Sequence, residues 1–261
     1  MGSLLRTEPF SADELSHDAF LGGRLVIAQP KSGYRAGIDP VLLAASVEAK
    51  AGDSLLDLGC GSGIAGLCVA KRVAGLSLTG IELQPAYADL ARHNGAENSV
   101  TLEVVTADLS DMPAALRQRQ FDHVIANPPY FDRRTSTAAR DPGRERATGQ
   151  AIPLSDWVTV AARRVRSKGT VTIIQQAERL PDLLAAMAFH LGSLEVLPLI
   201  PRRGRSARLV LIRGRKGGRA AMRLHDGWVL HPGTAHGQGI EKYTHATGSV
   251  LREPAALIWP R

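Results

Sequence analysis

The 261-residue chain has little cysteine: two thiols, Cys60 and Cys68, cannot make a disulfide framework. No zinc-ligand spacing accompanies them, and the eight histidines form no H-E-x-x-H or similar set. No metal site is therefore expected, and both cysteines read as small buried residues. No stretch approaches the roughly 20 apolar residues that a membrane span requires. The segment from Met1 to Phe20 is acidic and polar, unlike a signal peptide with a basic head and an apolar run. The cytoplasm is the expected compartment. Internal repeats and low-complexity linkers are also missing. What remains is an ordinary globular composition, 44% hydrophobic and 22% charged, long enough for one large α/β domain. A net charge of +7 favours an anionic partner.

From Ser54 onward apolar strand runs alternate with helical patterns. Strands are expected at 55–58, 77–82, 100–106, 121–126, 170–174, 194–200 and 207–213. Helices are expected at about 64–73, from Pro85, through the stripe Leu154, Trp157, Val158, Ala161, Ala162 and Val165, and at about 181–191. Asp39-Pro40 reads as an earlier helix start, with Asp39 as its N-cap. Such alternation implies a doubly wound α/β fold with a mostly parallel, seven-stranded sheet. Only a short Pro/Arg/Gly turn joins the last two strands, so they form an antiparallel hairpin at one edge. Residues 1–33 read as an N-terminal extension, 34–214 as the domain, and 215–261 as a tail packed on it. The polar, Arg-rich run 131–150 lacks periodicity and reads as a long loop.

Asp57-Leu58-Gly59-Cys60-Gly61-Ser62-Gly63 sits where the first strand of the alternation meets its helix. Alternating glycines let the backbone turn tightly and approach a ligand, and such sheets bind ligands beyond the carboxyl ends of their strands. Gly61 to Gly66 also satisfies the dinucleotide pattern G-x-G-x-x-G, with the acid Glu82 about 20 residues on. Asp57 argues against that ligand, because its carboxylate would lie close to a pyrophosphate. A zwitterionic amino-acid ligand with a free ammonium would welcome it. Further acids follow at strand ends, Glu82 and Asp108, at spacings of 25 and 26 residues. Glu82 can accept both hydroxyls of a ribose, and Asp108 an adenine amino group. Their neighbours Leu83 and Leu109 complete the expected cofactor wall. The balance favours S-adenosylmethionine, leaving S-adenosylhomocysteine as product.

Asn127-Pro128-Pro129-Tyr130 ends the fourth of these strands. Two prolines stop the ladder and stiffen the turn, so the Asn127 side-chain oxygen and the Pro128 carbonyl stay in fixed positions. Tyr130 then offers a flat face. An adenine N6 amine, or a glutamine amide, has a delocalised lone pair and is a poor nucleophile. Two acceptors on its two N–H groups pull the nitrogen toward tetrahedral geometry and localise that pair.

These residues resemble the class I S-adenosylmethionine-dependent methyltransferases. The resemblance runs from about Tyr34 to Arg213 and carries Asp57, Gly59, Cys60, Gly61, Gly63, Glu82, Asp108 and Asn127 over as cofactor residues of a Rossmann-like fold. The N-P-P-Y turn marks their branch that methylates exocyclic or amide nitrogens. Within it the chain is similar to the bacterial tRNA(Val) adenine-N6 methyltransferase family. Tyr34-Arg35-Ala36-Gly37-Ile38-Asp39, Asn127 to Phe131 and Pro201-Arg202-Arg203-Gly204-Arg205 carry that likeness. It implies that the segment before the first helix closes over the cofactor, with Arg35 and Asp39 as possible pocket residues, and that RNA, tRNA in particular, is the substrate.

Charge placement agrees with an RNA partner. Eight Arg or Lys and no acid lie between Arg202 and Arg219, and Arg133 and Arg134 follow closely after Tyr130. Aromatics are sparse there, so Arg133, Arg134, Arg202, Arg203 and Arg205 are expected to touch phosphate more than base. Three alternatives stay open. The N-P-P-Y chemistry also suits a protein glutamine N5-methyltransferase, Gly61 to Gly66 a nicotinamide oxidoreductase, and an old fold a non-catalytic RNA-binding module.

Overall fold

Strands and helices alternate as the periodicity requires. The computed structural model describes residues 6–130, 152–233 and 242–260. Strands β1 (Leu15–Phe20) and β2 (Leu25–Pro30) form a separate antiparallel hairpin, followed by helix α1 (Asp39–Ala45). Then come β3 (Ser54–Leu58), α2 (Ile64–Arg72), β4 (Ser77–Glu82), α3 (Pro85–Glu97), β5 (Leu102–Thr106), the short α4 (Ala114–Arg117) and β6 (Phe121–Ala126). After residue 151 follow α5 (Leu154–Arg164), β7 (Val165–Gln176), α6 (Leu180–His190), β8 (Gly192–Ile200) and β9 (Leu209–Arg215). Two-residue strands β10 (Arg223–Leu224) and β11 (Trp228–Val229) and helix α7 (His245–Arg252) lie in the tail.

The main sheet runs β10-β8-β9-β7-β6-β3-β4-β5, with β11 also on β8. Strands β5, β4, β3, β6 and β7 are parallel, and β9 is antiparallel to both β7 and β8. The expected hairpin is therefore present at this edge, with β9 beside β7 and β8 outside it, flanked in turn by β10 and β11. Both hairpin strands are apolar on both faces, with Val196 and Leu197 of β8 and Val210, Leu211 and Ile212 of β9 all 1% exposed or less. Seven long strands make the sheet, and β10 and β11 extend its edge.

Successive residues feed opposite faces, as the strand period of two demands. Leu55, Ile125 and Ile174 pack with α1, α2, the β1–β2 hairpin and the tail. Leu56, Leu58, Val124 and Ile173 pack with Trp157, Val158 and Ala161 of α5 and Met187 of α6. The hairpin is held by two amides one helical turn apart, Asn94 of α3 and its C-cap Asn98. Asn94 bonds both the N–H and the C=O of Ala28 (2.8 and 3.1 Å), and Asn98 does the same to Val26 (2.9 and 2.8 Å). These side chains pair the open edge of β2 as another strand would. At the far end of the chain the Leu257 N–H and Trp259 Nε1 donate to the carbonyls of Ala45 and Ser46, both at 2.8 Å. Those carbonyls end α1 and would otherwise be orphaned.

Because β3 to β7 are parallel, their carboxyl ends share one edge of the sheet. Strand β8 runs the same way, so the turn from β8 to β9 emerges at that edge too. With strands about 4.8 Å apart, it lies about 10–15 Å from β6.

Candidate active site

At the end of β3 the chain turns through Gly59, Gly61 and Gly63, all left-handed (φ +63°, +55° and +85°). A side chain on Gly59 would also put its Cβ 2.6 Å from the Trp157 indole, whereas one on Gly61 would meet nothing within 4 Å. The turn is thus packed on one side and open on the other, as close approach of a ligand requires. Cys60 turns inward: its thiol fills the space above Gly80, where a Cβ would come within 2.7 Å of the sulfur. Burial, with Asp57 and Glu82 nearby, drives that thiol well above its ordinary range. Only its backbone faces the site.

Two acids are sunk behind the turn. Asp57 is 3% exposed and accepts the Gly66 N–H at 3.2 Å. Burial pushes its carboxyl up to about 7, the Gly66 N–H opposes this, and Glu82 adds to it. Glu82 is 8% exposed, with one oxygen accepting the Gly61 N–H and the other the Gln84 N–H, each at 2.9 Å. Burial raises this carboxyl as well. Neither acid has an ion-pair partner among the described residues. Buried carboxylates are costly unless paired, and each still has lone pairs to offer. This donor-seeking pair fits a ligand with hydroxyls and an ammonium, and repels a pyrophosphate.

Asp108 caps the short turn after β5, where one oxygen accepts both the N–H and hydroxyl of Ser110 at 2.7 Å. Leu83 is half-buried and Leu109 buried. Among the described residues no group of three or more His, Cys, Asp or Glu is placed to hold a metal ion, and no helix is long and apolar enough to cross a membrane.

Strand β6 is buried throughout and delivers Asn127 half-buried at its end. Among the described residues nothing hydrogen-bonds to the Asn127 side chain. Pro128 is buried and its carbonyl accepts Gln175 Nε2 at 3.3 Å; Pro129 is exposed. Gln175, 2% exposed at the end of β7, is itself held by the Gln176 N–H on its other amide atom (2.8 Å). The sequence reading missed Gln175. An amide residue following the β-branched run Val171 to Ile174 at a strand's carboxyl end was the available signal. Tyr130 is half-buried and its hydroxyl donates to Asp39 Oδ2 at 2.7 Å. Burial and this carboxylate drive the hydroxyl far above its ordinary range.

One expectation before α1 needs correcting. Asp39 is not the N-cap: Ile38 holds that position, and the Asp39 carboxylate takes the Tyr130 hydroxyl instead. Arg35 is bound to the hairpin. Its guanidinium donates to Asp18 and Ser16 (both 2.7 Å) and to the Pro30 carbonyl (3.0 Å), anchoring the segment to the β1–β2 hairpin. There it lines a cleft of about 340 Å³ with Phe20, Gln29, Tyr243 and Leu251.

Of the arginines expected to meet phosphate, Arg203 and Arg205 are exposed in the turn between β8 and β9. Arg202 is half-buried, its guanidinium donating to the Pro232 carbonyl of the tail. Arg133 and Arg134 lie outside the described residues.

Comparison with known proteins bears on the fold and the family. The chain is 29% identical over 233 residues to the tRNA1(Val) (adenine(37)-N6)-methyltransferase of Porphyromonas gingivalis, covering 84% of this chain and 90% of the relative. The enzyme of the same name from Shewanella baltica is 29% identical over 198 residues, 74% of this chain and 82% of the relative. Among solved structures, a predicted O-methyltransferase of Agrobacterium tumefaciens superposes with a TM-score of 0.67 at 27% identity, over 84% of this chain and 98% of that one. A 16S rRNA methyltransferase of T. thermophilus, solved with AdoMet and guanosine, shares the fold (TM-score 0.55, 20% identity, 77% and 50% coverage). The methyltransferase small domain model matches residues 35–197, which include the glycine turn, both buried acids and the rigid turn after β6. A match over well over half of the sequence, agreeing with a Rossmann-like sheet, assigns it: the chain is a methyltransferase and belongs to the methyltransferase small domain family.

Proposed function

We propose that the chain transfers a methyl group from S-adenosylmethionine to the N6 amine of an adenine in RNA, and that the RNA is a tRNA. One observation carries the reading most: the half-buried Asn127 side chain has no partner among the described residues. It stands next to a Pro128 carbonyl that Gln175 occupies on one side only. Both acceptors sit at the end of one strand, on the same sheet edge as the buried carboxylates. The names of the curated relatives agree with this substrate.

When bound, S-adenosylmethionine supplies an electrophilic methyl group. Glu82 would take its ribose hydroxyls, Asp57 its ammonium and Asp108 its adenine amine, with Leu83 and Leu109 as walls. On the acceptor side, Asn127 and the Pro128 carbonyl each accept one N–H of the target amine. The lone pair then leaves the ring's resonance and points along the transfer axis. Stacking on Tyr130 fixes the base plane, worth about 1–3 kcal/mol. Holding two reactants in line can supply about 7–11 kcal/mol of the barrier reduction. Nitrogen sheds its extra proton after transfer, so no general base of shifted pKa is needed.

Incubating the protein with labelled cofactor and either total RNA or total protein tests the substrate, with mass spectrometry to map the product. Label in N6-methyladenine of tRNA is expected. Label found in protein glutamine alone would end this reading in favour of the amide.

The exposed turn at the catalytic edge gives a second expectation. Changing Arg202, Arg203 and Arg205 together to Ala raises the Michaelis constant for RNA. It also flattens the dependence of log affinity on log salt by about 1.4–1.8, since the two exposed arginines, Arg203 and Arg205, each neutralise a phosphate worth about 0.7–0.9. An unchanged slope would assign these arginines to solvent.

Asp57 gives a third. Its carboxyl lies at about 7 without ligand, and only the ionised form attracts an ammonium. Binding therefore releases a proton below that pH. Affinity for S-adenosylhomocysteine should fall as pH drops through 7, by at most about tenfold per unit, and level off above it. Calorimetry in two buffers of different ionisation heat measures the proton released; none released would remove Asp57 from the ammonium site.

A further inference from the structure

Asp39 sits in the first turn of α1, a place where an acidic residue ordinarily caps the helix. It forms no cap, and among the described residues no cation pairs with it. Among the described residues its side chain takes one hydrogen bond, from the Tyr130 hydroxyl 91 positions along the chain, at 2.7 Å. A carboxylate acceptor at that distance makes a strong, charge-assisted bond.

Both ends of this bond matter. On the Asp39 side the backbone is fixed, because Pro40 follows and Val41, Leu42 and Leu43 are 3% exposed or less in the core. On the Tyr130 side the prolines stiffen the backbone but leave the ring free to rotate about two side-chain bonds. Stacking alone needs no hydroxyl, and a phenylalanine would offer the same face. We propose that Asp39 is a positioning residue: by accepting the Tyr130 hydroxyl it sets the plane of the ring against which the target base stacks. The role rests on the adenine reading above. It also makes the segment before α1, which Arg35 ties to the β1–β2 hairpin, part of the acceptor site.

A double-mutant cycle with Asp39→Ala and Tyr130→Phe tests this, with Asp39→Asn as the conservative variant. Each single change should lower kcat/KM for RNA by about tenfold, the lower end for a hydrogen bond to a charged group. The double should be no worse than either single, because both remove the same bond. Asp39→Asn keeps an acceptor and should recover part of the loss. Affinity for S-adenosylhomocysteine should stay within about twofold in all of them. Losses that multiply in the double, or an Asp39→Ala loss explained wholly by weaker S-adenosylhomocysteine binding, would overturn the role.

Nuclear magnetic resonance of ring-labelled tyrosine, assigned with Tyr130→Phe, gives a readout without turnover. The Tyr130 signal should shift and average in Asp39→Ala, and an unmoved signal would overturn the role. A wild-type protein that methylates no RNA would instead sink the substrate reading, and the base-plane role with it. Wild-type RNA methylation alongside multiplying losses would leave the substrate standing and remove only Asp39.

Discussion

Asn127→Ala should lower kcat by at least about 10²–10³, the loss typical of removing one preorganised hydrogen-bonding group from a reacting centre. The affinity for S-adenosylhomocysteine should change little, because Asp57 and Glu82 are untouched. The structure separates these effects. Asn127 makes no side-chain bond to any described residue, so truncating it leaves no described protein group unsatisfied and the fold should survive. What is lost is one of two acceptors on the target amine, and with it half of the force that frees the lone pair. Asn127→Asp keeps an oxygen in place and should retain more activity than Ala. Single-turnover rates with saturating RNA, beside calorimetry with S-adenosylhomocysteine, check the prediction. An Ala variant that turns over comparably would remove Asn127 from the chemistry.

The features that fix this chemistry were legible because they are local. Alternating glycines, an acid at each strand end and two prolines after an apolar run announce themselves within a few residues, and the sheet brings them to one edge. Strand β6 was read to its observed limits because Pro128 and Pro129 cannot join a ladder. Contacts between distant segments were not legible. That Asp39 would serve Tyr130 rather than α1 depends on how α1 packs against the end of β6, and capping was the obvious local use. The resemblance suggested Arg35 for the pocket, but nothing local announced its bonds to Asp18 and Ser16 on the hairpin. Which strand of the hairpin lies inside was not legible, because Val196 and Leu197 of β8 and Val210 to Ile212 of β9 are apolar on both faces alike. Gln175 shows the same limit from the other side: its strand end was in view, but not the carbonyl it would meet.

Glu82→Ala should be the most damaging change at the cofactor end, raising the dissociation constant for S-adenosylhomocysteine by about 100-fold or more. Hydrogen bonds to a charged group are worth about 1.5–3 kcal/mol each, and Glu82 is placed to accept two ribose hydroxyls. A second loss comes from the protein. The carboxylate already accepts the Gly61 and Gln84 N–H groups, so its removal leaves two donors unpaired and loosens the turn that faces the ligand. Glu82→Gln keeps one acceptor, but its NH2 group must face either a backbone donor or a ribose hydroxyl hydrogen. It should fall between wild type and Ala. Thermal shift reports the same order: selective binding raises the midpoint in wild type, and that rise should vanish in Glu82→Ala at equal ligand. NAD should raise the midpoint of neither protein, because a pyrophosphate would have to lie against Asp57. Stabilisation by NAD, or full S-adenosylhomocysteine affinity without Glu82, would show that the buried acids serve another ligand.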